Sequence, residues 1–196
     1  VAQIDYANDK TLQDKIVADV HADFKPLKWA KFTSRFYIDY AHQKRNNFNG
    51  KHFYGVDPLV ADTNTNVEQS WDKWFKYGFE NYVTFNKQIN NHNIELMAGQ
   101  SYEDYSHDWL YVSRYNIPYA SPDYAYPGAA LDLERFTIND QSGDDWAVSR
   151  LASVFGRFVY NYNEKYMLQG NFRNDGASNF GPDNKFVLFP SFSAGW

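Results

Sequence analysis

The sequence predicts an all-β chain of antiparallel, up-and-down strands that forms part of a large transmembrane outer-membrane β-barrel. Three observations predict it. Apolar and polar residues alternate with period two in successive stretches, the connections alternate between short and long, and the chain is rich in aromatic residues without any long apolar run. Among 196 residues there are 16 Phe, 16 Tyr and 6 Trp, yet the mean hydropathy is -0.67. A water-soluble core leans on Leu, Ile and Val, in which this chain is poor. Rings scattered among polar residues suit a surface that meets lipid headgroups or ligands. No apolar run approaches the ~18 residues of a membrane helix, so a membrane-spanning role requires strands closed into a barrel.

The alternation begins in "KIVADVHADF", where Ile16, Ala18, Val20, Ala22 and Phe24 share one face and Lys15, Asp19, His21 and Asp23 the other. Pro26 marks a turn, because proline cannot continue a sheet ladder. In "AKFTSRFYIDY", Ala30, Phe32, Phe36, Ile38 and Tyr40 oppose Lys31, Thr33, Arg35 and Asp39. In "WFKYGFENYVTF", Phe75, Tyr77, Phe79, Val83 and Phe85 oppose Lys76, Glu80 and Thr84. After a turn at residues 90–93, Ile94, Leu96 and Ala98 oppose Glu95, Met97 and Gly99. Phe158, Tyr160 and Tyr162 then oppose Arg157 and Asn161, and beyond the turn at Asn163 and Glu164, Tyr166, Leu168 and Phe172 oppose Gln169, Asn171 and Arg173. The last stretch sets Phe192, Ala194 and Trp196 against Ser191, Ser193 and Gly195.

Turns near Pro26, Asn91 and Asn163 are short, whereas residues 43–69, 105–146 and 175–185 form longer connections. A meander places all short turns at one end and all long loops at the other, as outer-membrane barrels do with their periplasmic turns and extracellular loops. Tyr160, Tyr162 and Tyr166 fall on the turn side, where an aromatic girdle belongs. The rival reading is a soluble β-sandwich, a carbohydrate-binding module whose aromatics would stack on sugars. About seven strands with two open edges would leave backbone unpaired in lipid. Residues 1–196 are therefore expected to be a piece of a longer barrel.

The stretch from Phe155 to Trp196 resembles the barrel signature of SusC-like (RagA-type) TonB-dependent transporters, the outer-membrane nutrient importers of Bacteroidetes. The resemblance rests on Phe155, Gly156 and Arg157, on Tyr166, on Arg173, Asp175, Gly176, Phe180 and Gly181, and on Phe189 to Trp196 with Pro190 and Gly195 among them. Ala177 stands where the family usually has Ser. A second block, His92, Asn93, Gly99 and Gln100, is similar to another strand of that family. The resemblance implies a bacterial outer-membrane location and a 22-stranded barrel with an N-terminal plug. It further implies a SusD-like surface lipoprotein as a lid, energy from TonB, and import of oligosaccharides or peptides. The plug and the TonB-binding segment are expected outside these residues.

The residues of the signature also have a physical reading. Asp175-Gly176 and Gly181-Pro182-Asp183 are turn formers. Pro190 in a strand suggests an edge or a bulge. Arg173 and Asp175 either pair across the loop base or stay solvated.

Nothing in the sequence points to catalysis or a cofactor. Glu103-Asp104 and Asp144-Asp145 read as solvated acids at the ends of a loop, with a glycosidase pair as the weaker reading. Histidines 21, 42, 52, 92 and 107 lack metal-ligand spacing, His92 reading as a turn residue. There are no cysteines, which excludes a disulfide scaffold and a thiolate site. With a net charge of -5 and no basic stripe, nucleic acid is not an expected partner. The functional candidates lie in the long connection 105–146. Trp109, Tyr111, Tyr115, Tyr119, Tyr124 and Tyr126 are stiffened there by Pro118, Pro122 and Pro127. Such rings either pack the loop upon itself or contact a ligand or partner.

Overall fold

The computed structural model describes residues 7–50, 52–53, 61–62, 65–118, 121–132, 134–141, 148–181 and 185–196. Ten strands follow in chain order: β1 (Ala7–Leu27), β2 (Ala30–Asn49), β3 (His52–Phe53), β4 (Ala61–Asp62), β5 (Asn66–Ile89), β6 (His92–Tyr115), β7 (Phe136–Gln141), β8 (Val148–Tyr162), β9 (Tyr166–Ala177) and β10 (Phe186–Gly195). The main sheet runs β1-β2-β5-β6-β8-β9-β10, with β7 also paired to β6, while β3 and β4 pair with each other. The seven strands of that path are those the alternation outlines. Helical structure among the described residues is confined to two three-residue 3-10 turns, Pro122–Tyr124 and Pro127–Ala129.

Register turns the sequence alternation into two chemically distinct faces. Ile94, Tyr160, Leu168 and Ala194 line up across four strands, as do Leu96, Phe158, Gly170 and Phe192. On the other face the rows read Glu95, Val159, Gln169, Ser193 and Met97, Arg157, Asn171, Ser191. Since side chains alternate with period two, these rows give one apolar face and one mixed, polar face.

The short turns gather at one end. Asn163 (φ 53°) and Glu164 (φ 55°) both occupy the left-handed region, the combination whose twist matches that of a two-stranded ribbon. Asn90 has φ 52° in the turn before β6. The Asn163 amide donates to the Asn91 carbonyl at 2.8 Å, and Asn86 donates to Trp29, in the first turn, at 2.8 Å.

The long connections are shorter than the sequence suggests, because the strands continue into them. β6 runs on to Tyr115 and β7 returns along it, Trp109 opposite Gln141 and Arg114 opposite Phe136. β9 likewise absorbs Asp175 and Gly176. Gly176 lies opposite Phe186 rather than in a turn, and its φ is outside the left-handed region. Pro182 and Asp183 lie outside the described residues. Pro190 sits mid-strand on β10, at the end of the sheet path, opposite Phe172. An edge strand tolerates its missing N–H.

The chain divides into two compact units. The first comprises 1–16, 40–74 and 107–147; the second 17–39, 75–106 and 148–196. The first unit holds a small apolar core of Phe48, Val67, Ile117, Ala125 and Ala130. In the second, the apolar rows stay exposed, among them Phe158, Leu168, Phe172 and Phe192. No second sheet packs on that face among the described residues, as a sandwich would require. Aromatic rings cover glycine backbone instead. A Cβ at Gly156 would lie 2.4 Å from the Phe172 ring, and one at Gly176 would lie 2.3 Å from that of Phe186.

Candidate functional site

The polar face of the second unit is a lattice of cross-strand ion pairs. Arg35 on β2 reaches Asp19 on β1 (Nε–Oδ2, 2.6 Å) and Glu80 on β5 (Nη1–Oε2, 3.4 Å). Lys76 meets Glu103 at 2.8 Å, and Arg157 meets Glu95 at 2.5 Å. Arg173 donates to Asp175 at 2.6 Å and to Ser153 at 2.9 Å. These groups are part-exposed, so each pair contributes at most about 1 kcal/mol. Collectively they make this face wettable. The Arg173–Asp175 pair forms within β9, so of the two sequence expectations the paired one holds, although on a strand.

Glu103 and Asp104 are strand residues on opposite faces rather than loop acids. Glu103 also accepts from the Tyr37 hydroxyl at 2.7 Å, while Asp104 accepts from Arg150 at 3.0 Å and Tyr102 at 3.0 Å. Asp144 and Asp145 lie outside the described residues. His92 opens β6, its Nδ1 2.7 Å from the Tyr160 hydroxyl and its ring 4.7 Å from that of Tyr162. Tyr162 and Tyr166 stack at 6.3 Å, forming the aromatic cluster expected on the turn side. The remaining residues of the signature do not converge on one point. Phe180 is exposed after β9, Gly181 has nothing within 4 Å of a built Cβ, and Gly195 and Trp196 end the described chain. On the apolar face, Phe85, Leu96, Phe158, Leu168, Phe172 and Phe192 contribute to a groove of about 600 Å³.

The aromatic candidates of the first unit fall into two groups. Trp109, Tyr111 and Tyr115 are strand residues on β6, part-buried. Burial first, and the Glu68 carboxylate second, push the Tyr111 phenol above its ordinary pKa. The Arg135 guanidinium lies 3.8 Å from the centre of the Tyr115 ring. Tyr124 and Tyr126, in the segment between β6 and β7, are instead 62% and 52% exposed. That segment buries its small residues Ala125 and Ala130 and turns these two rings outward. Tyr119 lies outside the described residues.

Sequence reasoning missed the residue that holds this segment. Thr65 is buried, and its Oγ1 accepts from the Ile117 amide at 2.6 Å and donates to the Ile117 carbonyl at 3.0 Å. Its own carbonyl accepts from Asn116, whose φ is 59°. Thr65→Val keeps the shape and strands both buried backbone groups, at a cost of about 1–3 kcal/mol. The expected outcome is faster proteolytic cutting around Pro122 with the strands intact. An unchanged cutting rate would show that the segment is held elsewhere. His107 also finds partners invisible to spacing rules, stacking on Trp74 (5.0 Å, 9°) and lying 3.0 Å from Asp72. Both partners lie on β5, so no pattern within β6 signals the pairing. Among the described residues no group of three or more His, Cys, Asp or Glu is placed to hold a metal.

No family model matches the chain. Three curated relatives are TonB-dependent receptors of Formosa agariphila. One is 32% identical over 117 residues, covering 60% of this chain and 11% of the relative. A second is 25% identical over all of this chain and 19% of its own length, and a third is 26% identical over 84% of this chain and 15% of its own. The chain thus spans less than a fifth of the relatives it matches. Among solved structures, the RagAB peptide transporter matches over 96% of this chain and 20% of its own, with a TM-score of 0.79 and 16% identity. The RagAB peptide importer in its open-open state matches with a TM-score of 0.80 over the same shares, again at 16% identity. The fold of this chain is therefore that of a stretch of transporter barrel wall.

Proposed function

We propose that this chain is a segment of the barrel of a SusC-like TonB-dependent transporter, lying in the bacterial outer membrane and importing oligosaccharides or peptides. One observation carries the reading most: an antiparallel sheet with one apolar and one ion-paired face, its short turns at one end, in a chain similar along its length to TonB-dependent receptors. The apolar rows meet lipid, the ion-paired face lines the lumen around a plug, and the segment between β6 and β7 is extracellular. A SusD-like lipoprotein is the proposed partner there, with Tyr124 and Tyr126 as its contacts. Exposed rings with hydroxyl tips offer large contact area at small entropic cost. Trp109, Tyr111 and Tyr115 support that segment, and Tyr119 remains a candidate contact. TonB acts through a region outside these residues. The relatives are named as receptors and transporters, and the whole protein is proposed to act without enzymatic chemistry. The open apolar face disfavours the soluble carbohydrate-binding module.

The test uses the full-length protein in its native membrane. It should fractionate with the outer membrane and support nutrient uptake that disappears when TonB is deleted. An epitope at Pro122 should be reached by antibody on intact cells, and one at Asn91 should not. Combined Tyr124→Ala and Tyr126→Ala should weaken lipoprotein co-purification at least tenfold, because truncated aromatic anchors commonly cost about 2 kcal/mol each. Uptake indifferent to TonB overturns the function, and exposure of the Asn91 epitope inverts the topology.

A further inference from the structure

We propose that the short-turn end of the second unit binds the headgroup of an anionic glycerophospholipid, in the leaflet that those turns reach. The inference rests on the transporter reading, under which lipid covers the apolar face of this same unit.

Charge is unevenly distributed at this end. Residues 23–31, 86–93 and 162–166 hold Lys25, Lys28, Lys31, Lys87 and Lys165 against the carboxylates of Asp23 and Glu164, in a chain whose net charge is -5. The charges divide by face. Asp23 and Lys31 lie on the polar face, where they pair at 3.6 Å and Asp23 also accepts from the Thr33 hydroxyl at 2.6 Å. Alternation along β1 puts Lys25 on that face with Asp23. Along β5 the alternation carries the apolar row of Val83 and Phe85 on to Lys87. Lys165 sits in the turn before β9, its Nζ 5.7 Å from the centre of the Tyr166 ring. Lys28 and Glu164 are the other charged residues of the turns. Among the described residues, Lys28, Lys87 and Lys165 take part in no ion pair.

The same end carries connected rings. Trp29 stacks on Phe85 at 5.8 Å. The His92 ring lies 4.7 Å from that of Tyr162, which stacks on exposed Tyr166 at 6.3 Å. When the Tyr160 hydroxyl donates to His92 Nδ1 (2.7 Å), the ring proton lies on Nε2 and that N–H is left to donate outward. Rings with polar tips settle at headgroup level, where Lys lays its methylenes along apolar surface and extends its ammonium to phosphate. A cation held over a ring keeps its N–H donors for an anion. With Lys28, Lys87 and Lys165 at this level against Glu164, the balance is basic, so a headgroup of net negative charge fits better than a zwitterionic one.

The experiment measures lipid retention by the full-length transporter, purified in mild detergent and loaded with phosphatidylglycerol or with phosphatidylcholine, using native mass spectrometry. Wild-type protein should retain phosphatidylglycerol over phosphatidylcholine. Lys165→Gln should lower phosphatidylglycerol retention about fivefold, the usual effect of one basic residue near an anionic surface. Lys165→Arg should restore it, and phosphatidylcholine retention and nutrient uptake should not change. Lys31→Gln removes the same charge from the polar face at the same end and should leave retention as it was. An equal loss in Lys31→Gln would mean diffuse attraction without a site and overturns the proposal. Displacement of phosphatidylglycerol by millimolar inorganic phosphate would assign the site to free phosphate and overturn it too. Equal retention by wild type and Lys165→Gln, in protein that fractionates with the outer membrane and takes up nutrient, overturns this inference alone. Recovery of the protein from the soluble fraction overturns the transporter reading as well.

Discussion

Leu168→Arg in the intact barrel is expected to destabilise it by about 2–4 kcal/mol, while Gln169→Arg, one residue further along β9, should cost well under 1 kcal/mol. Leu168 belongs to the row Ile94, Tyr160, Leu168, Ala194, and its side chain is exposed because nothing among the described residues covers that face. In the membrane, hydrocarbon covers it, and a guanidinium placed near the midplane must be desolvated or drag water inward. Gln169 points the other way, beside Asn171 (3.2 Å), where a new cation joins a face already carrying Arg157 and Arg173. Urea titration of barrels refolded into lipid vesicles gives both numbers in one series. Similar costs at the two neighbours would mean that the apolar face does not meet lipid.

Gly78→Ala is expected to destabilise the barrel by about 1–3 kcal/mol, the usual cost of forcing atoms into filled space. The Tyr37 ring crosses over Gly78 on its way from β2 to Glu103 on β6. An added Cβ would sit 2.5 Å from the Tyr37 ring and 2.8 Å from the Tyr102 carbonyl. The ring can swing aside only by breaking its hydrogen bond to Glu103, and the carbonyl belongs to the ladder and cannot yield without bending β6. Tyr37→Ser in the Gly78→Ala background should recover only part of the loss, since it clears the ring and leaves the carbonyl contact. The same urea titration decides it. A Gly78→Ala barrel as stable as wild type would show that β5 and β6 separate freely at this point.

Where lipid is the solvent, the fold could be read directly. A bilayer obliges one face of each strand to be apolar, and "WFKYGFENYVTF" or "KYMLQGNF" shows that obligation residue by residue. Beyond it the obligation lapses. From Tyr102 to Tyr115 both faces of β6 mix rings with charged groups, as Asp104, Tyr105, His107 and Trp109 illustrate, so a strand there reads as a loop. The same loss hid the outer ends of β2 and β5. The candidate contacts were legible only as a pool of rings. Which of them turn outward depends on Thr65 and on the small core around Ile117, and those contacts join residues about fifty positions apart. Asp175 and Gly176 misled for another reason. Their turn-forming character is real, but Gly176 is needed where the Phe186 ring lies over the backbone.

The rings laid over glycine have a consequence for how the wall closes. A sliding error of one residue between neighbouring strands would put polar side chains into hydrocarbon and is strongly opposed. An error of two residues keeps every side chain on its proper face, so the in–out pattern offers no resistance to it. Resistance must come from shape. Sliding β9 by two positions along β8 would take Phe172 off Gly156 and set it against Phe158 or Val154, and a matching slide of β10 would take Phe186 off Gly176. Each glycine is then a notch and each ring its tenon, fixing how far one strand is staggered against the next. Because stagger, strand number and diameter are linked in a closed barrel, these few notches help to set the bore of the channel.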